Sequence, residues 1–111
     1  MEFAQDQAGE VAIVKLAGRL DSSAAQPAEE SFARVLDGGT PRLAVDMSQL
    51  EYISSAGLRV LLVVAKKVQQ ANGKMVLFGL VPHVREVFSV SGFDKIFAIQ
   101  PDAAAAVAAV R

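Results

Sequence analysis

The chain has 111 residues, 52% of them hydrophobic, which is enough for one domain to bury a core without metal or disulfide staples. Its 21% of charged residues sum to a formal net charge of -1, so it lacks the broad positive field that gathers nucleic acid or an anionic membrane. The absence of cysteine excludes disulfides, a thiol nucleophile and thiolate zinc sites.

The first residues, MEFAQDQAGE, have neither the basic start nor the apolar run of a signal peptide. Apolar runs such as residues 60–65 fall far short of the roughly 20 residues that cross a bilayer. The expectation is a cytoplasmic protein without membrane or direct nucleic-acid contact.

In chain order, EVAIVKLA at residues 10–17 predicts a core strand ending near Leu20, with residues 1–5 paired beside it. Ser22 or Ser23 can cap a helix over residues 24–36, where Phe32, Val35 and Leu36 share a face, Pro27 suits only the first turn and Gly38-Gly39 is the stop. RLAVDM at residues 42–47 is too short for a helix and reads as a buried strand, which implies a βαβ crossover.

Residues 56–71 carry Leu58, Leu61, Leu62, Ala65 and Val68 at helical spacing, with Asn72-Gly73 as the stop. Residues 74–78 form a third core strand. Pro82 opens a helix that runs to about Val90, packs Val84, Val87 and Phe88, and ends at Gly92. Residues 96–99 predict the last strand, and Pro101 starts an alanine-rich helix with Asp102 at its positive end and Arg111 at its negative end. The order β-β-α-β-α-β-α-β-α, without repeat or linker, predicts a single α/β domain over residues 1–111: a mixed sheet with about four helices packed on it.

The chemistry concentrates in VDMSQLEYISSAGLRVLLV, residues 45–63, where a strand leads through a polar turn to Ser54-Ser55 and directly into the long helix. The first four N–H groups of a helix have no partner within it, and its dipole favours an anion there. A phosphoserine, with about -1.5 to -2 charges at neutral pH, suits that position. On position alone an ordinary N-cap serine, worth about 1 kcal/mol, is the simpler account.

Four segments together, GRLD at residues 18–21, VDMS at 45–48, SSAGLRVLL at 54–62 and SGFDKIF at 91–97, resemble the STAS family of anti-sigma factor antagonists over nearly the whole chain. In that family the target serine follows an Asp and precedes a Ser-Gly, Thr-Gly or Ala-Gly step. The resemblance therefore selects Ser55, before Ala56-Gly57, as the phosphorylation site. Ser54, which stands in the aspartate position, is the second choice.

The resemblance implies partner switching. The unphosphorylated protein would bind a GHKL-type anti-sigma factor kinase and free its sequestered regulator, phosphorylation would end binding, and a PP2C-type phosphatase would restore it. The chain itself would need no cofactor, since ATP belongs to the kinase and metal ions to its partners. It would be a monomer or weak dimer. The alternative is a constitutive STAS scaffold in a transport-associated complex, without phosphoregulation.

On the long helix, Arg59, Val60, Val63, Lys67 and Gln70 lie off the predicted core stripe, so Val60 and Val63 either reach a docking face beside Ser54, Ser55 and Ala56 or pack under neighbouring loops. Gly57 is a poor helix former, and the space it leaves beside the hydroxyl reads as room for a partner. Asp21 and Asp46 are each read as ending a strand, where Asp bonds to local backbone, and the resemblance places both regions beside the serine as secondary surface contributors. No enzyme is expected: there is one histidine, His83, no G-x-S-x-G elbow, and neither a Walker A loop nor a G-x-G-x-x-G turn.

Overall fold

A computed structural model describes residues 1–37 and 41–111. Its elements are β1 (Glu2–Ala8), β2 (Val11–Leu20), α1 (Ser22–Leu36), β3 (Arg42–Ile53), α2 (Ser55–Gln70), β4 (Lys74–Phe78), α3 (Pro82–Ser91), a 3-10 turn (Phe93–Lys95), β5 (Ile99–Gln100) and α4 (Ala103–Val110). The five strands lie in the order β1-β2-β3-β4-β5, with β1 antiparallel to β2 and the others parallel.

Because the strand order advances in one direction, right-handed crossovers put α1, α2 and α3 on the same face. Their residues Phe32, Leu61 and Phe88 share one core with Val14, Leu16, Leu43, Val45 and Met47 of the sheet. The alternate strand residues Val11, Ala44, Val76 and Phe78 pack with Ala106 and Val110 of α4, so that helix covers part of the opposite face. Burial on both faces is why LAV, after Arg42, and MVLF read as continuous apolar runs. Arg42 Nη1 donates to Val110 O at 2.8 Å and Lys74 Nζ to Arg111 O at 3.3 Å, so two cations meet the carbonyl end of α4.

Several boundaries differ from expectation. β3 continues from Met47 to Ile53 although Ser48, Gln49 and Glu51 are exposed, because it pairs with the far end of β2, Gly18–Leu20. Two register shifts insert extra residues into β3, so that Met47, Leu50 and Ile53 all face the core at a spacing of three. The cap of α1 is Asp21 rather than Ser22 or Ser23, and Pro27 consequently sits beyond the first turn, where it removes the bond that would run to Ser23. The expected stop at Gly38-Gly39 lies outside the described residues.

At the other end, SGFDKIF forms the 3-10 turn, with Phe97 buried against Phe88 and Phe93 at ring separations of 5.9 and 6.1 Å. The last strand is therefore Ile99–Gln100, two residues long, and α4 starts at Ala103 behind Asp102, whose Oδ1 accepts the Ala105 N–H at 2.9 Å. Among the described residues no helix is long and apolar enough to cross a membrane.

Candidate functional site

Since β4 stops at Phe78, opposite Asp46, the last seven residues of β3 extend past it with only β2 alongside. On the outer side of this extension the Arg19 guanidinium lies 4.2 Å from the centre of the Tyr52 ring, a cation–π contact between neighbouring strands. On the inner side Leu20 and Ile53 are buried. Both strands end there, and α1 and α2 begin.

At the start of α2 the two serines have different duties. Ser54, extended at φ -93 and ψ 173, is the N-cap: its Oγ accepts the Gly57 N–H at 3.2 Å and donates to Leu20 O at 3.3 Å. Its backbone N–H donates to the same carbonyl at 3.0 Å. Ser55 is the first helical residue and is exposed, and among the described residues its hydroxyl makes no hydrogen bond. Thus one hydroxyl holds the junction and its neighbour is presented to solvent at the positive end of a 16-residue helix.

Gly57 is buried, and the space beside it is already taken. A Cβ there would lie 2.5 Å from Leu20 O and 2.9 Å from Ile53 Cγ1. The glycine lets α2 seat on the ends of β2 and β3, so the expectation that it leaves room for a partner is corrected.

Asp21 makes the matching junction at α1. Its Oδ1 accepts the Ser23 hydroxyl at 2.7 Å, the Ser23 N–H at 3.1 Å and the Ala24 N–H at 3.2 Å. The Ser23 hydroxyl, more than any other cause, holds its carboxyl below the usual carboxylate value.

Along α2, Val60 is buried at 3% exposure, which corrects its expected place on an outer face: α1 packs beside α2 and widens the covered arc. Val64 is buried as well, whereas Leu62, expected in the core, is half-buried like Val63 and Ala65. Arg59 and Lys67 are exposed and, with Ala56, line a groove of about 580 Å³ whose other wall is α1, with Ala25, Ala33 and Glu29.

Asp46 is not brought to the serine. It lies in the middle of β3, on the same sheet face as Ala44, paired in register with Lys15 and Phe78, and its Oδ1 accepts the Ser48 N–H at 2.9 Å. It borders a shallow hollow with Asp6 and Lys15. The candidate site therefore comprises Asp21, Ser54, Ser55, Ala56, Arg59 and Lys67, with Val63 half-exposed nearby in sequence and Gly57 and Val60 beneath the surface.

Sequence reasoning missed the Leu20 carbonyl, the Arg19–Tyr52 contact and the α1 wall of the groove. Only the motif GRLD marked that end of β2. Among the described residues no group of three His, Cys, Asp or Glu side chains is placed to hold a metal ion.

The STAS domain profile matches residues 3–106. BtrV of Bordetella bronchiseptica is 43% identical over 111 residues, covering 100% of this chain and 96% of that protein. The anti-sigma-F factor antagonist RsfB of Mycobacterium tuberculosis is 30% identical over 90 residues, covering 78% of this chain and 70% of its own. The crystal structure of an anti-sigma factor antagonist from Mycobacterium paratuberculosis superposes with a TM-score of 0.88 at 26% identity, covering 99% of this chain and 93% of that one. The chain belongs to the STAS-domain family of anti-sigma factor antagonists.

Proposed function

We propose that this protein is an anti-sigma factor antagonist that works in the cytoplasm as a partner switch controlled at Ser55. In the unphosphorylated state the corner formed by Ser55, Ala56 and Arg59, together with the α1–α2 groove, docks on a GHKL-type anti-sigma factor kinase and frees the regulator which that kinase sequesters. The Ser55 hydroxyl oxygen then attacks the γ-phosphorus of ATP held by the kinase, its proton passes to a kinase base, and ADP leaves. A PP2C-type phosphatase returns the hydroxyl by hydrolysis with its own metal ions. The chain is substrate and switch, not catalyst.

The observation that carries this reading is the division of work between the serines. A residue committed to capping α2 and to the Leu20 carbonyl is a poor target, because transferring phosphate to it removes a cap and a hydroxyl donor together. Ser55 has neither duty, and its phosphate would sit over the free N–H groups of the first turn. The names of the relatives support the pathway class. Incubation with the cognate kinase and ATP, followed by peptide mapping, tests it: one phosphate at Ser55 is expected, and modification of Ser54 alone or of a distant residue overturns the assignment.

A further inference from the structure

We propose that the phosphate on Ser55, once formed, is held by the guanidinium of Arg59, so that phosphorylation withdraws two groups from the docking surface instead of one. The inference rests on Ser55 as the modified residue. Ser55 and Arg59 are both exposed and stand four residues apart on α2, which places them one above the other on the same helix face, with Cβ atoms about 5–6 Å apart. An anion N-terminal to a cation is the favourable order for such a pair. The guanidinium fork matches phosphate oxygens better than an ammonium does.

The other candidates are occupied or distant. Arg19 lies over the Tyr52 ring, and Lys67 is three turns further along α2, roughly 18 Å of axial rise from Ser55. The charged groups on the α1 wall of the groove, Glu29 and Glu30, are acidic, and so is Asp21, which follows the Leu20 carbonyl that Ser54 bonds. They repel the phosphate, which leaves Arg59 as the cation within one turn. Arg59 also lines the α1–α2 groove beside Ala56. When it turns to the phosphate, that wall loses its charge.

The test uses full-length protein with phosphoserine installed at position 55 during translation, so its result does not depend on finding the kinase. The phosphate is titrated by phosphorus NMR in this protein and in its Arg59→Gln, Arg59→Lys and Lys67→Gln variants. A nearby cation favours the dianion, so Arg59→Gln should lower the second acid dissociation constant of the phosphate about twofold. Arg59→Lys should keep part of the effect and Lys67→Gln should change nothing. About 1 M salt should shrink the difference between parent and Arg59→Gln. Equal constants for parent and Arg59→Gln, or an equal effect from Lys67→Gln, overturn the proposal, while mapping of kinase phosphorylation to another residue would instead remove the reading on which it rests.

Discussion

The carbonyl oxygen of Leu20 accepts two hydrogen bonds from Ser54, one from its backbone N–H at 3.0 Å and one from its hydroxyl at 3.3 Å. The end of β2 is thereby tied to the first residue before α2, 34 positions along the chain. The same oxygen is the atom that a Cβ on Gly57 would strike. Residues 20, 54 and 57 form one joint, and Ser55 stands just outside it.

The two serines should therefore separate by stability. Ser54→Ala removes an N-cap and a half-buried donor and should destabilise the fold by about 1–2 kcal/mol. Ser55→Ala should stay within about 0.5 kcal/mol of the parent. Urea unfolding of both variants checks this, and an equal loss would mean that Ser55 is also structural.

Gly57→Ala tests the joint from the other side. In an exposed helix the change stabilises by up to about 1 kcal/mol. Here the added methyl meets a backbone carbonyl and two buried side chains, so the sign should reverse, with a loss of about 1–3 kcal/mol. A stabilised variant would show that α2 can lift from β2 at no cost.

Much of this arrangement was legible in the sequence, and what was not has a common cause. Lys74–Phe78, Pro82–Ser91 with Gly92 behind it, and the body of α2 follow from local periodicity and punctuation. Which way Val60 faces is not legible, because one helix cannot announce which neighbour covers its flank. The second half of β3 is hidden in the sequence because SQLE is polar and its pairing with GRL is non-local. The resemblance puts Asp46 beside the serine, but β3 runs seven residues beyond it before α2 begins. Gly57 was visible as an odd residue in a helix, but not the carbonyl that needs its missing side chain. Ser55 itself came from family resemblance, since an N-terminal serine is ambiguous until its neighbour's bonds are known.

The revised face of α2 makes Val60 and Val63 behave differently. Val60→Asp buries a carboxylate without a partner and should lose the cooperative fold at neutral pH. Val63→Asp, half-exposed, should remain folded and instead weaken kinase binding. Circular dichroism melts distinguish them, and a folded Val60→Asp protein would put the α1–α2 packing in doubt.

Asp21 predicts an acid response. Its carboxyl is lowered in the folded state, so its contribution is complete above the ordinary value of 3.8 and is lost as pH falls through the lower folded value. Relative to the parent, Asp21→Asn should therefore show a flatter decline in stability below pH 3.8. Parallel curves for the two proteins through that window would show that the Ser23 hydroxyl does not favour the charged form.

The switch itself turns on which of two effects of the phosphate is larger. Within the protein the start of α2 stabilises an anion, typically by about 0.3–1 kcal/mol at an exposed position. Against a partner, burying the same charge without a matched cation costs several kcal/mol, and a loss of about 2.8 kcal/mol already weakens binding about a hundredfold. Docking should be lost while the fold persists. Ser55→Asp should accordingly be folded and bind the kinase weakly, whereas Ser55→Ala should bind it, resist phosphorylation and keep the downstream regulator released. Titration calorimetry on the parent and both variants, with circular dichroism as the folding control, measures this directly. Equal affinities for all three would favour a constitutive scaffold, because a charge at position 55 would then lie outside any contact surface.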